Sequence, residues 1–452
     1  MKLRSIQVLR GLAALLVVLF HIRSLEGLGI AGNGATEQTL TGGALTNGYA
    51  GVDLFFVISG FIMVYVTDGM RHGVKPAADF LFARATRIFP VWWAFAGFMT
   101  VYIFAAHGTE GFGMASQGVP AVSYLVRSFL LQPQPAFPVL GVGWTLVHEM
   151  YFYIAFTLLM LLPRKWLPAL IGVWGLTIIA GTLVGYAVPY AGTYRDLIFY
   201  PMTMEFILGA AAGLAVTSGL VWRAGVVTLG ASLWLAVALC YQGMETEFTL
   251  KWGRVLWFGL PCAVLIYGVA SLEARGRIAW LIPAAAGLLA ALGVYQMFGL
   301  HEASPDALRR DATLLSTIVG GIAMLIVLWF GWLLGQGAPA LLLRTQPFFE
   351  GILRRMVRLG DWSFSLYLIH MIVMSAMRRI FDLLGKIDAL APVFRLGHEG
   401  PLDNVAFIVA CLASSLVTAA LTYRFLERPA IRFFSKMREQ IFYQKRDLLE
   451  PA

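Results

Sequence analysis

Charged side chains are scarce in this chain, at 13% of its 452 residues, where a soluble domain carries about a quarter. With 59% hydrophobic residues and a mean hydropathy of +0.75, that shortage excludes an ordinary soluble enzyme. Cysteine is nearly absent. Cys240, Cys262 and Cys411 lie in apolar runs without shared spacing, which speaks against a disulfide framework or a zinc cluster and leaves them as small core hydrophobes. The histidines are scattered without ligand-like spacing, so no metal site is expected. Internal repeats are missing, which argues against a transporter built from inverted halves. The apolar segments run continuously instead of alternating, which excludes a β-barrel.

What the chain has instead is long apolar runs. A helix needs about 20 apolar residues to span a bilayer. Candidates lie at 6–24, 48–67, 88–107, 144–162, 167–188, 197–216, 222–241, 254–272, 278–299, 312–336, 362–383 and 403–425. They predict an all-α polytopic integral membrane protein of about 10–12 transmembrane helices. If Lys2 and Arg4 are cytoplasmic, that side also holds Arg84, Arg87, Arg164, Lys165, Arg354, Arg355, Arg358 and the basic C-terminal residues. It then carries about twice the Lys and Arg of the opposite side, so both termini are expected in the cytoplasm. The net charge of +9 reflects this asymmetry and suits an anionic inner leaflet; no nucleic-acid partner is implied. A single transmembrane domain is expected over 1–436, with a basic cytoplasmic tail over 437–452.

The opening "MKLRSIQVLRGLAALLVVLF" has the basic start and apolar run of a signal peptide. It lacks a good small-x-small cleavage site before Leu25, so it reads as a retained span. Three connections are long. Residues 25–47 are Gly- and Thr-rich. Residues 108–143 contain "LLQPQPAFPVLGVG", whose prolines forbid a regular helix; an apolar segment so broken is tolerated at membrane depth only where protein buries it. Residues 337–361 form a basic connection on the inner side.

Ionisable residues inside spans are costly and are functional candidates by default. Arg10 and His21, eleven apart in "LRGLAALLVVLFH", share one helix face about 16 Å apart along its axis. The first lies near the inner end and the second near the outer. The alternative is that Arg10 snorkels to headgroups and His21 ends the helix. Asp53 and Ser59 belong to "GVDLFFVISGFIM"; Asp53, level with His21, reads equally well as an N-cap. Arg84 and Arg87, three apart at the start of a span, point the same way and suit a phosphate, although topology alone would also place them there. Glu149 in "GWTLVHEMYFY" falls at about the depth of His21, and a carboxylate with an imidazole could form an acid–base pair. His370 in "SFSLYLIH" and Glu205 in "MTMEFILGA" are deeper.

Taken in order, these motifs, with "LGDWSFSLYLIH" and "YRFLERPAIR" near the end, resemble the membrane acyltransferase-3 family over about residues 4–433. The opening helix is particularly similar to the bacterial exopolysaccharide acetyltransferases of that family. The resemblance implies transfer of an acyl group, commonly acetyl from acetyl-CoA in the cytoplasm, to a hydroxyl on a cell-surface polysaccharide or lipid-linked oligosaccharide. It implies His21 and Glu149 as catalytic residues and Arg10, Arg84 and Arg87 as donor-binding; Asp53, Ser59, Tyr153 and His370 are expected as supporting residues. It also implies a multi-pass protein of a bacterial inner membrane. The family core has about ten spans, fewer than the apolar segments counted here. The residues of this chain show no hydrolase-like domain of the kind some members carry, so acceptor recognition is expected in the membrane domain and its outer loops. The competing class is a secondary transporter or flippase using Arg10, Glu149, Glu205 and His370 as a polar pathway.

Overall fold

The computed structural model describes residues 3–30, 47–188, 190–240, 251–276, 339–396 and 402–443. The longer helices are α1 (Arg4–Ile30), α2 (Ala50–Val66), α3 (Val74–His107), α4 (Trp144–Leu159), α5 (Leu167–Leu183), α6 (Thr203–Thr217), α7 (Ala224–Cys240), α8 (Leu260–Ala274), α9 (Pro339–Leu384), α10 (Leu402–Thr422) and α11 (Arg428–Phe442). No strand occurs among the described residues. Among the described residues, eight helical stretches are long and apolar enough to cross a membrane, and Ala50–Val66 and Ala224–Ala236 are shorter apolar helices. The protein is therefore an all-α, multi-pass membrane protein. Every expected span within the described residues falls on a helix, while those at 278–299 and 312–336 lie outside them.

Two boundaries differ from expectation. The helix expected to begin at 88 starts at Val74, so Arg84 and Arg87 sit well inside α3 instead of at its first turn. The stretch read as a basic connection at 337–361 is helical from Pro339 and runs unbroken into the expected span. The first extension is rich in Ala and Arg and the second in Leu and Arg, good helix formers that continue a helix beyond its apolar portion. Hydropathy marks where a helix turns apolar, not where it begins.

The chain divides into two compact units: residues 1–58 with 215–419, and residues 59–214 with 420–452. In the first unit, α1 packs along α9. Gly360 permits their approach, because a Cβ there would lie 1.9 Å from the Gln7 carbonyl oxygen. Gly51 likewise admits the Ala13 carbonyl. Close approach through small residues is how helices associate where no hydrophobic force separates them from lipid. Glu273 receives the start of α1, accepting from the backbone N–H of Arg4 at 2.7 Å and of Ser5 at 2.9 Å. A carboxylate there satisfies orphan donors and meets the positive end of the helix dipole. Cys411 lies in the buried core with Ala14, Val18, Leu366 and Phe407, and Cys262 is buried too, as small hydrophobes should be. Gly360→Ala is expected to destabilise the protein by at least about 1–3 kcal/mol. The check is its melting temperature in detergent against that of Gly351→Ala, where a Cβ meets open space.

In the second unit, Gly60 of α2 presses on the Phe206 carbonyl of α6. Phe152 stacks between Phe206 and Trp174, at centroid distances of 4.3 and 5.2 Å. The proline-broken stretch is non-helical, as expected, and Gln134, Ala136, Val139 and Leu140 are buried. Two of its backbone groups find side-chain partners, the Val139 N–H donating to Ser128 Oγ and the Phe137 carbonyl accepting from the Tyr124 hydroxyl, and Gln134 Nε2 also donates to Ser128 Oγ. That satisfaction is what irregular buried backbone requires.

Candidate active site

The polar side chains of the first unit gather on α1, α2 and α9. His21 is half-buried on α1, with Nδ1 2.9 Å from the Val17 carbonyl oxygen and 3.2 Å from Nε2 of His370. The two imidazoles lie 4.9 Å apart by ring centroid. His370 is fully buried, and its Nδ1 is 3.2 Å from the Leu366 carbonyl. Arg10 and His21 lie on one continuous helix, as read from the sequence. Asp53, in the first turn of α2, is not a cap: it is fully buried and holds Arg254 by two parallel bonds, Nε to Oδ1 at 3.1 Å and Nη2 to Oδ2 at 2.5 Å. The Arg254 guanidinium also lies 4.7 Å from the centroid of the Tyr49 ring. It stands just before a π-type turn, Val255–Gly259, that leads into α8. Such turns aim a side chain that a regular helix would leave elsewhere.

In the second unit, Glu149 of α4 accepts from Ser59 Oγ at 3.0 Å and from the hydroxyl of Tyr153, one turn along the same helix. Arg84 interacts electrostatically with both Glu149 and Tyr153. Of the two residues expected as an acid–base pair, His21 lies in the first unit and Glu149 in the second. His148 is packed among aromatic rings, stacked on Tyr200 at 4.6 Å and edge-on to Trp144 at 5.6 Å. Glu205 is fully buried at the start of α6.

Arg84 and Arg87 make no ion pair or side-chain hydrogen bond among the described residues, and Arg84 Nε is buried without a partner. A buried guanidinium N–H without an acceptor is costly unless a ligand oxygen meets it. Both arginines line a cavity of about 200 Å³ whose opposite wall is α11, with Ser435 and Arg438 on a floor of Ile431 and Phe434. The volume is below the usual range for a whole organic ligand, so it would take a part of one, such as a phosphate. Asp79 fixes Arg438 by two bonds, 2.5 and 2.7 Å long, and accepts from the Tyr443 hydroxyl at 2.7 Å. The carboxylate beside it holds the Tyr443 phenol above its ordinary pKa, so the hydroxyl keeps its proton and remains the donor. No group of His, Cys, Asp and Glu suited to a metal occurs among the described residues.

Sequence reasoning missed Arg254, Arg438 and Asp79. Arg438 had been assigned to topology with the tail. Its clue was the spacing of Phe434, Arg438 and Tyr443 on an amphipathic helix. Residues 437–442 complete α11, and 444–452 lie outside the described residues.

A membrane-embedded helical protein with an imidazole pair in one unit and an arginine-lined cavity in the other has the parts of a group-transfer enzyme. The comparisons make the class specific. Residues 3–298 match the family model described as an acyltransferase domain, the third of that name. The chain belongs to this acyltransferase-3 family and is an acyltransferase. It is 34% identical over 245 residues to the "exopolysaccharide production protein ExoZ" of Rhizobium meliloti strain 1021, covering 53% of this chain and 71% of that protein. It is 24% identical over 456 residues to the "acyltransferase MdmB" of Streptomyces mycarofaciens, covering 97% and 94% of the two chains. No solved structure matches.

Proposed function

We propose that the chain is an O-acyltransferase that moves an acetyl group from cytoplasmic acetyl-CoA to a hydroxyl of a cell-surface or lipid-linked polysaccharide. Arg84, with its buried Nε free of any acceptor, and Arg87 beside a cavity that Arg438 closes carry this reading, because the donor is an anion whose phosphates guanidinium groups bind in bidentate fashion. The name of the Rhizobium relative supports the acceptor class. The excess of Lys and Arg supports a bacterial inner-membrane protein with both termini in the cytoplasm. Family membership favours this reading over a transporter or flippase.

In the chemical step His21 acts on the acceptor hydroxyl, either as general base or by first carrying the acyl group on its ring nitrogen. Tyr153 and Ser59 hold Glu149, and Glu149 with Tyr153 steadies Arg84 against the donor. Asp79 does the same for Arg438. Arg10 adds positive charge on the inner half of α1.

The test is transfer of label from [acetyl]-CoA to surface polysaccharide in membranes holding equal amounts of enzyme. The wild type should label polysaccharide. Arg84→Ala/Arg87→Ala should raise the donor KM about 10- to 100-fold while excess donor restores most of kcat, the signature of lost ground-state binding. An unlabelled polysaccharide, or an unchanged donor KM in the double variant, would sink the donor assignment.

A further inference from the structure

The structure assigns His370 as the positioning residue that holds His21 in the one tautomer able to react, a role that rests on the proposed function. The geometry leaves one consistent arrangement of protons. His21 Nδ1 faces the Val17 carbonyl at 2.9 Å, and His370 Nδ1 faces the Leu366 carbonyl at 3.2 Å. A carbonyl only accepts, so each neutral ring must carry its proton on Nδ1. The Nε2 of His370 is then a lone pair, and it lies 3.2 Å from Nδ1 of His21. The proton on His21 Nδ1 is therefore shared between Val17 and His370. The reverse assignment, with His370 donating, would set both Nδ1 lone pairs against carbonyl oxygens.

One consequence is that the reactive lone pair of His21 is on Nε2, on the far side of the ring from His370. Val17 lies one turn back on the same helix and can keep a proton on Nδ1 without fixing the ring's tilt. The second acceptor, from α9, fixes it. His370 is itself immobilised: it is fully buried, bonded to its own helix, and flanked by Tyr367 at a ring distance of 5.9 Å.

The chemistry uses this at the moment charge appears. When the acceptor hydroxyl attacks the thioester carbonyl, its proton passes to His21 Nε2, a C–O bond forms, the C–S bond breaks, and the proton goes on to the departing thiolate. If the ring carries the acyl group first, the charge is again on the imidazole and the same Nδ1–H bears it. In both routes His370 Nε2 accepts a hydrogen bond that strengthens as His21 becomes cationic, and His370 stays neutral. This is the part an aspartate plays in a Ser–His–Asp triad, filled here by an uncharged ring. A neutral partner suits an apolar site, where an isolated carboxylate would be expensive.

Two replacements separate this role from packing. Gln places an acceptor oxygen near the position of Nε2, and Phe fills the space without one. Full-length protein in membranes is assayed for labelled-acetyl transfer and, separately, for modification of His21 by diethyl pyrocarbonate read by mass spectrometry. His370→Phe is expected to lower kcat about 10- to 100-fold with the donor KM unchanged, and to slow His21 modification. His370→Gln should return both to within about threefold of wild type. A wild-type kcat in His370→Phe overturns the assignment. So does a Gln variant as defective as Phe in both readouts at equal protein level. If wild type transfers no acetyl yet His21 modification follows the order wild type, Gln, Phe, the proposed function fails and the tautomer assignment stands.

Discussion

Membranes carrying His21→Ala at wild-type protein level are expected to label polysaccharide about 10³-fold more slowly or not at all, because acid–base and nucleophilic groups each contribute orders of magnitude. His21 is half-buried, against Phe20, the Val17 carbonyl and His370, so protein levels are matched to wild type before rates are compared. The discriminating step is rescue. Free imidazole should restore part of the lost rate if the missing element is a basic nitrogen, and nothing if the missing element is shape. The donor KM should be unchanged, since the arginines that line the candidate donor cavity lie on α3 and α11. Acyl label recovered on the wild-type protein and released by hydroxylamine would identify a covalent histidine intermediate; its absence during rapid turnover would favour general base catalysis. A His21→Ala chain that transfers acetyl at near wild-type rate would remove His21 from the chemistry altogether.

Much of this was legible in the residues because membranes make sequences explicit. Every backbone polar group must be satisfied inside a span, so apolar length alone locates helices, and a charge within one stands out. Arg84, Glu149 and His370 were visible for that reason. Their partners were not. Glu149 is a candidate partner of His21 by its depth along the helix, and within its own unit it meets the hydroxyls of Ser59 and Tyr153 and the charge of Arg84. Depth along a helix says nothing about which faces meet. The His21–His370 contact is separated by 349 residues in sequence, and only helix packing decides it. Arg438 was hidden by a different effect: on a basic tail every arginine serves the positive-inside rule, so a specific role leaves no mark in composition. Asp79 follows the same logic, as a single acid in a basic stretch whose value lies in the arginine it restrains.

Asp53→Ala should be among the most damaging single changes to stability, at about 3–5 kcal/mol, because it strands the charge of Arg254 in a buried site. Asp53 is fully buried and Arg254 nearly so, and the pair ties α2 to the segment leading into α8. Water cannot reach in to solvate the survivor. Arg254→Ala should cost a similar amount for the same reason, with loss of the Tyr49 ring contact added. The informative variant is the double replacement Asp53→Leu/Arg254→Met, in which neither charge remains. A pair kept for stability alone would be largely dispensable as a pair, so the double variant should recover most of the melting temperature lost by either single change. Recovered stability with wild-type acetyl transfer would make the ion pair structural. Recovered stability with transfer still lost would mean that Asp53 or Arg254 acts in the reaction, and Asp53→Asn, which keeps shape and one acceptor, would then show which of the two does.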